Sequence, residues 1–97
     1  MEQVSPLKVD REQSVDEAQV IALRALAWLV AEPNRADRLL ALTGLEAGEL
    51  RGRAGDPALL GAALAFLEAH EPDLVACADA IDVPADRLVA ARAVLER

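Results

Sequence analysis

At 97 residues the chain has room for one hydrophobic core and not for a second. Alanine (21) and leucine (16) dominate it, Tyr is absent, and Trp and Phe occur once each, an alphabet that suits helices better than pleated sheet. Seventeen acidic against ten basic side chains, a net charge of −7, repel a phosphate backbone and an anionic membrane surface, and the single cysteine rules out an internal disulfide.

Residues 1–13, MEQVSPLKVDREQ, are polar, contain Pro6 and hold no sustained period. They are expected to form a mobile tail ahead of a single helical domain over 14–97. No cationic stretch followed by an apolar one occurs there, which argues against a secretory signal. The longest uncharged run, 57–67, has eleven residues, about half of the roughly 20 that a membrane span needs. A cytoplasmic protein is the resulting expectation.

SVDE, from Ser14, is a capping box that should open the first helix, running to Glu32. Its later part, ALAWLVA, is apolar on every face, so this helix is expected at the centre, buried on most sides. Pro33 and Asn34 should break it. A second helix, about Arg35 to Thr43, should end at Gly44 through a left-handed cap. The third, Leu45 to Ala54, is intrinsically weak because Gly48 and Gly52 each cost about 1 kcal/mol relative to alanine. Asp56 as N-cap with Pro57 in the first helical position opens a fourth, PALLGAALAFLEAHE. Pro72 restarts the chain into a fifth, PDLVACADAI, and Pro84 into a sixth, PADRLVAARAVLER.

An internal echo supports this map. At a constant offset of 38, ALAWL (25–29) falls on ALAFL (63–67), Ala31 on Ala69, Leu45 on Val83 and Leu50 on Leu88. The fold expected is therefore all-α: a single-domain orthogonal bundle of five to six short helices, the echo pointing to two pseudo-repeated three-helix halves. Trp28 and Phe66 should lie in or beside one core, with Gly61, Ala62 and Ala65 letting the first and fourth helices approach closely.

Three segments carry candidate chemistry. HEPDLVAC holds the only histidine, His70, and the only cysteine, Cys77, with Glu68, Glu71 and Asp73 nearby. One imidazole and one thiol are too few for the usual ligand sets of zinc, and Pro72 should place His70 and Cys77 on different helices. Cys77 in LVACA reads as a core thiol, and His70 as a helix C-terminus where a cation is favoured. RADRLLALTGLEAGELRGRA has a helix-turn-helix outline, repeated by LVACADAIDVPADRLVAARA. The N-termini of the would-be reading helices carry Glu46, Glu49 and Asp86 rather than base-edge donors, and Arg51, Arg53, Arg87 and Arg92 are the basic features on offer. The third helix could instead receive a partner, since its order depends on tertiary contact and Glu46, Glu49, Arg51 and Arg53 give it a mixed-charge face. No glycine-rich phosphate loop, nucleophile elbow, acidic calcium loop or CxxC pair is present, so no catalytic or cofactor-binding residue is assigned.

ALAWL followed by Pro33, then RLLALTGL, LRGRAGDPALL, and AFL before an acidic turn, resemble the pattern of a small bacterial family, domain of unknown function 3572, from about Ala18 to Leu95. The resemblance implies a stand-alone cytoplasmic helical protein, found chiefly in alphaproteobacteria, with no established activity and so no catalytic residues to carry over. The functional expectation is a non-enzymatic module that binds another protein, with no metal, cofactor, small-molecule ligand or membrane in its reading. The alternative is a DNA-associated regulator, which would require its arginines to share one basic face.

Overall fold

Ser14 starts the fold as its residue type requires. Its Oγ accepts the Glu17 N–H at 3.0 Å, and the Glu17 carboxylate accepts the Ser14 N–H at 3.3 Å, so two otherwise orphaned donors are satisfied. The computed structural model describes residues 13–97. Residues 1–12 of the expected tail lie outside the described residues, and the Gln13 side chain donates to the Arg87 carbonyl at 2.8 Å.

The described residues form six helices: α1 Val15–Val30, α2 Pro33–Thr43, α3 Ala47–Gly52, α4 Pro57–Glu68, α5 Glu71–Ile81 and α6 Ala85–Leu95. Pro33 opens α2 instead of standing as a break before it. Proline has no N–H to lose at the first helical position, and the Glu32 carboxylate caps the turn by accepting the Arg35 N–H at 2.9 Å. That bond holds the Glu32 carboxyl below its ordinary value. Gly44, at φ 74°, closes α2 in the left-handed conformation, its N–H on the Leu40 carbonyl. α3 is shorter than expected at both ends, in keeping with its two glycines. Asp56 caps α4, with its carboxylate on the Ala58 N–H at 2.9 Å.

The offset of 38 extends to the backbone. It carries α2 onto α5 end for end and the first residue of α3 onto that of α6. Ala31 and Ala69 are the C-caps of α1 and α4, and Gly44 and Asp82, the left-handed caps of α2 and α5. It also carries Ile21, Ala22, Ala25, Leu26, Leu29, Leu39 and Leu50 onto Leu59, Leu60, Ala63, Leu64, Leu67, Cys77 and Leu88, and every member of both sets is buried. The halves therefore share a pattern of caps and a pattern of burial.

One core cluster joins them. α1 packs most extensively on α6, α4 packs on both, and α5 and α2 lie against α1. Three helices meet at the centre, where the sequence pointed to the pair α1 and α4. Leu29, Leu60, Leu64, Leu67 and Leu88 fill the interior, and the fully buried Ala22, Ala25, Ala63 and Ala91 permit close approach. Gly61 serves a different contact from the one expected: a Cβ there would meet the Glu96 side chain at 3.3 Å, so its absence makes room for the end of α6.

The aromatic rings lie beside the core, half-buried. The Arg35 guanidinium covers the Trp28 ring at 3.8 Å, and Arg38 lies 5.7 Å from the centre of Phe66. Trp28 is thus a border residue, less central than its apolar neighbours implied. α1 likewise departs from expectation, because Val20, Leu23 and Val30 are 56%, 41% and 40% exposed.

Two substitution pairs check this arrangement by urea unfolding. Leu29→Ala should cost about 3 kcal/mol through a cavity at the centre, and Trp28→Ala less, since its ring is only partly buried and one face meets the Arg35 cation. Gly48→Ala meets open space at ordinary φ and should stabilise by about 0.5 to 1 kcal/mol, whereas Gly44→Ala, at φ 74°, should destabilise.

Candidate functional site

The stretch HEPDLVAC lies on one element. His70 is the N-cap residue of α5, its carbonyl accepting the Asp73 and Leu74 N–H groups at 3.0 and 3.1 Å, and Pro72 sits in the first turn. This corrects the expectation that Pro72 would part His70 from Cys77 onto separate helices, and gives His70 an N-cap role in addition to its place just past α4, where its N–H donates to the Leu67 carbonyl at 3.1 Å. The side chains nevertheless part company. The His70 ring is half exposed, with Nε2 3.9 Å from Asp73, while Cys77 is fully buried. Glu68 is engaged by Arg92 at 3.1 Å and Asp73 by Arg38 at 3.3 Å. Among the described residues no three His, Cys, Asp or Glu side chains gather as a metal site would require. Burial pushes the Cys77 thiol up to about 11, with nearby Arg35 pulling weakly the other way.

The four side chains proposed on and beside α3 divide by partner. The Glu49 carboxylate accepts the Glu46 N–H at 3.0 Å, and Arg53 bonds Asp56 at 2.9 Å, a contact that with the Ala58 N–H holds the Asp56 carboxyl below its ordinary value. Glu46 and Arg51 form no ion pair among the described residues. Leu50 is the one buried side chain of α3, with Leu45 and Ala54 half-buried on its flanks. The other helix-turn-helix arginines are also paired, Arg87 with Glu17 at 3.4 Å and Arg92 with Glu68 and Glu96 at 3.1 and 3.3 Å. Three of the four guanidinium groups are thus engaged by carboxylates of their own surroundings.

Two features went unread in the sequence. Val20, Leu23, Ala27 and Val30 are all exposed and follow one another at i, i+3, i+7 and i+10, so they line one stripe on the side of α1 turned away from the core. The spacing was visible in the sequence; that these four residues stay exposed in the described fold was not. The second is a pair of hollows related by the repeat. Val20, Ile21 and Arg24 of α1 face Val83 across a hollow of about 440 Å³, and their counterparts Ala58, Leu59 and Ala62 of α4 face Leu45 across one of about 200 Å³. Each central helix therefore borders the turn of the opposite half. Arg24 donates to the Ile81 carbonyl, which ties α1 to the end of α5.

The family model described as "Protein of unknown function (DUF3572)" matches residues 15–97. The chain belongs to this family. No curated protein and no solved structure matches it. The DUF3572 match begins at the first residue of α1 and takes in the six described helices and the outward stripe. Among the described residues no helix is long and apolar enough to cross a membrane.

Alkylation tests the assignment of Cys77 as a core thiol. With its thiol raised from 9.0 to about 11, the native protein at about pH 8 should react more than about a hundredfold more slowly than the urea-unfolded chain. The unfolded chain ionises first, so the stabilisation from the protonated thiol is complete below 9.0 and is lost as pH rises toward about 11. A native rate equal to the unfolded rate would contradict the assignment.

Proposed function

We propose that this chain is a non-enzymatic module that binds another protein. The observation that supports the reading is the outward stripe of α1. An apolar helix face is ordinarily buried against a neighbour, yet Val20, Leu23, Ala27 and Val30 are all exposed in the described fold. Their spacing matches the seam by which one helix receives another, with small Ala27 in the middle to allow close approach.

α3 is a second surface for the same activity. It rests on Leu50 and has open space around Gly48 and Gly52, and Glu46 and Arg51 have charges to offer a partner. The DNA-associated alternative draws no support from the arginines, since Arg53, Arg87 and Arg92 are paired with carboxylates.

Site-specific photo-crosslinking in the native cell tests the reading. A photoreactive residue in place of Leu23 should yield a discrete protein adduct, and one in place of Asp37, an exposed residue of α2, should not. Adducts of equal yield from both positions, or a nucleic-acid adduct, would overturn it.

A further inference from the structure

The hollow bordered by Val20 and Val83 has a second hollow beside it, of about 390 Å³, and the two share the turn Asp82, Val83 and Pro84 between α5 and α6. Aliphatic side chains share their walls with charged ones: Val20, Ile21 and Val83 lie on one side of the turn, Val75, Ala78 and Ala85 on the other, with Val20 and Val75 more than half exposed. The size is not an effect of small side chains. Val20 and Arg24 stand where the smaller hollow of the first half has Ala58 and Ala62, yet the space is about twice as large.

Charge indicates what fits there. Asp16, Asp79 and Asp82 line the two hollows and form no ion pair among the described residues. The two cations present are engaged, Arg87 by Glu17 and Arg24 by the Ile81 carbonyl. Asp82 stands out further. At φ 58° it is the one non-glycine residue with positive φ among those described, and it occupies the cap position that glycine takes, at Gly44, in the first half. Glycine would adopt this conformation with less strain, and the Asp82 carboxylate makes no hydrogen bond within the fold that would favour aspartate there. What aspartate adds is a negative charge at the junction of two hollows that each carry an aliphatic patch.

We infer that this groove binds a short segment of a partner protein in which aliphatic residues flank a lysine or arginine, the aliphatic groups entering the hollows and the cation meeting Asp82, with Asp16 and Asp79 around it. The inference rests on the protein-binding reading above and adds to it a place and a chemistry, next to the α1 stripe and joined to it through Val20.

The probe is an acetylated Leu-Lys-Leu-Lys-Leu peptide titrated into the full chain and followed by amide chemical shifts, with Leu-Glu-Leu-Glu-Leu as the control. Saturable shifts are expected at Val20, Asp82, Val83 and Ala85 with the lysine peptide alone. Asp82→Gly should weaken this binding by about tenfold while raising the melting temperature, since glycine suits the left-handed cap. Asp37→Asn, which removes one negative charge near the far end of α1, should leave the affinity unchanged. Equal binding by Asp82→Gly, equal weakening by Asp37→Asn, binding by the glutamate peptide, or no binding would overturn the inference. Shifts confined to Leu23, Ala27 and Val30 would overturn it too, yet leave the protein-binding reading standing, which fails only by the crosslinking result.

Discussion

The fold depends on the meeting of α1, α4 and α6 along surfaces where leucine alternates with alanine. Ala18, Ala22, Ala25, Ala63 and Ala91 are fully buried, and Leu29, Leu60, Leu64, Leu67 and Leu88 pack across from them. An alanine buries little apolar area by itself, so such an interface stabilises only if the helix axes come close enough for leucines of one helix to reach the backbone of the next. Bulky rings would hold the helices apart. Trp28 and Phe66 consequently lie at the border, each associated with an arginine of α2, and Gly61 yields its side-chain volume to the end of α6.

The internal repeat explains why two short halves suffice. Each half supplies a central helix, a capped second helix and a third that starts at the same relative position, and neither can cover its own apolar face alone. The halves then diverge in their third helices. α6 runs for eleven residues and packs on both central helices, whereas α3 stops after six and is held by Leu50. The left-handed caps diverge as well, glycine in one half and aspartate in the other. The cap positions and the first part of the core are common to both halves, and the third helices and the left-handed cap residues differ.

What could be read in advance divides along a physical line. Ser14, Gly44, Asp56 and Pro57 act on their own helix ends through bonds to neighbours a few residues away, so their roles were visible in the sequence. The echo of ALAWL in ALAFL foretold a correspondence that continues through caps and core. Pro33 was misread because proline is compatible with both a break and a first turn, and the Glu32 cap decides between them. The extent of burial of Trp28, the outward stripe of α1, the pairing of Arg53, Arg87 and Arg92 and the space around Asp82 depend on which elements become neighbours, information that periodicity does not contain. Of the residues proposed on and beside α3, Glu49 and Arg53 bond to near neighbours, and Glu46 and Arg51 form no ion pair among the described residues.

The central claim is that the outer face of α1 is surplus to folding and kept for contact with another protein. The most direct test is the stability of Leu23→Glu in the isolated chain by urea unfolding. If the stripe is uncovered, the substitution should leave unfolding free energy within about 0.5 kcal/mol of the parent, as for an exposed helix position. A loss of about 2 kcal/mol or more would show that Leu23 is buried in the folded protein, and the claim would fall.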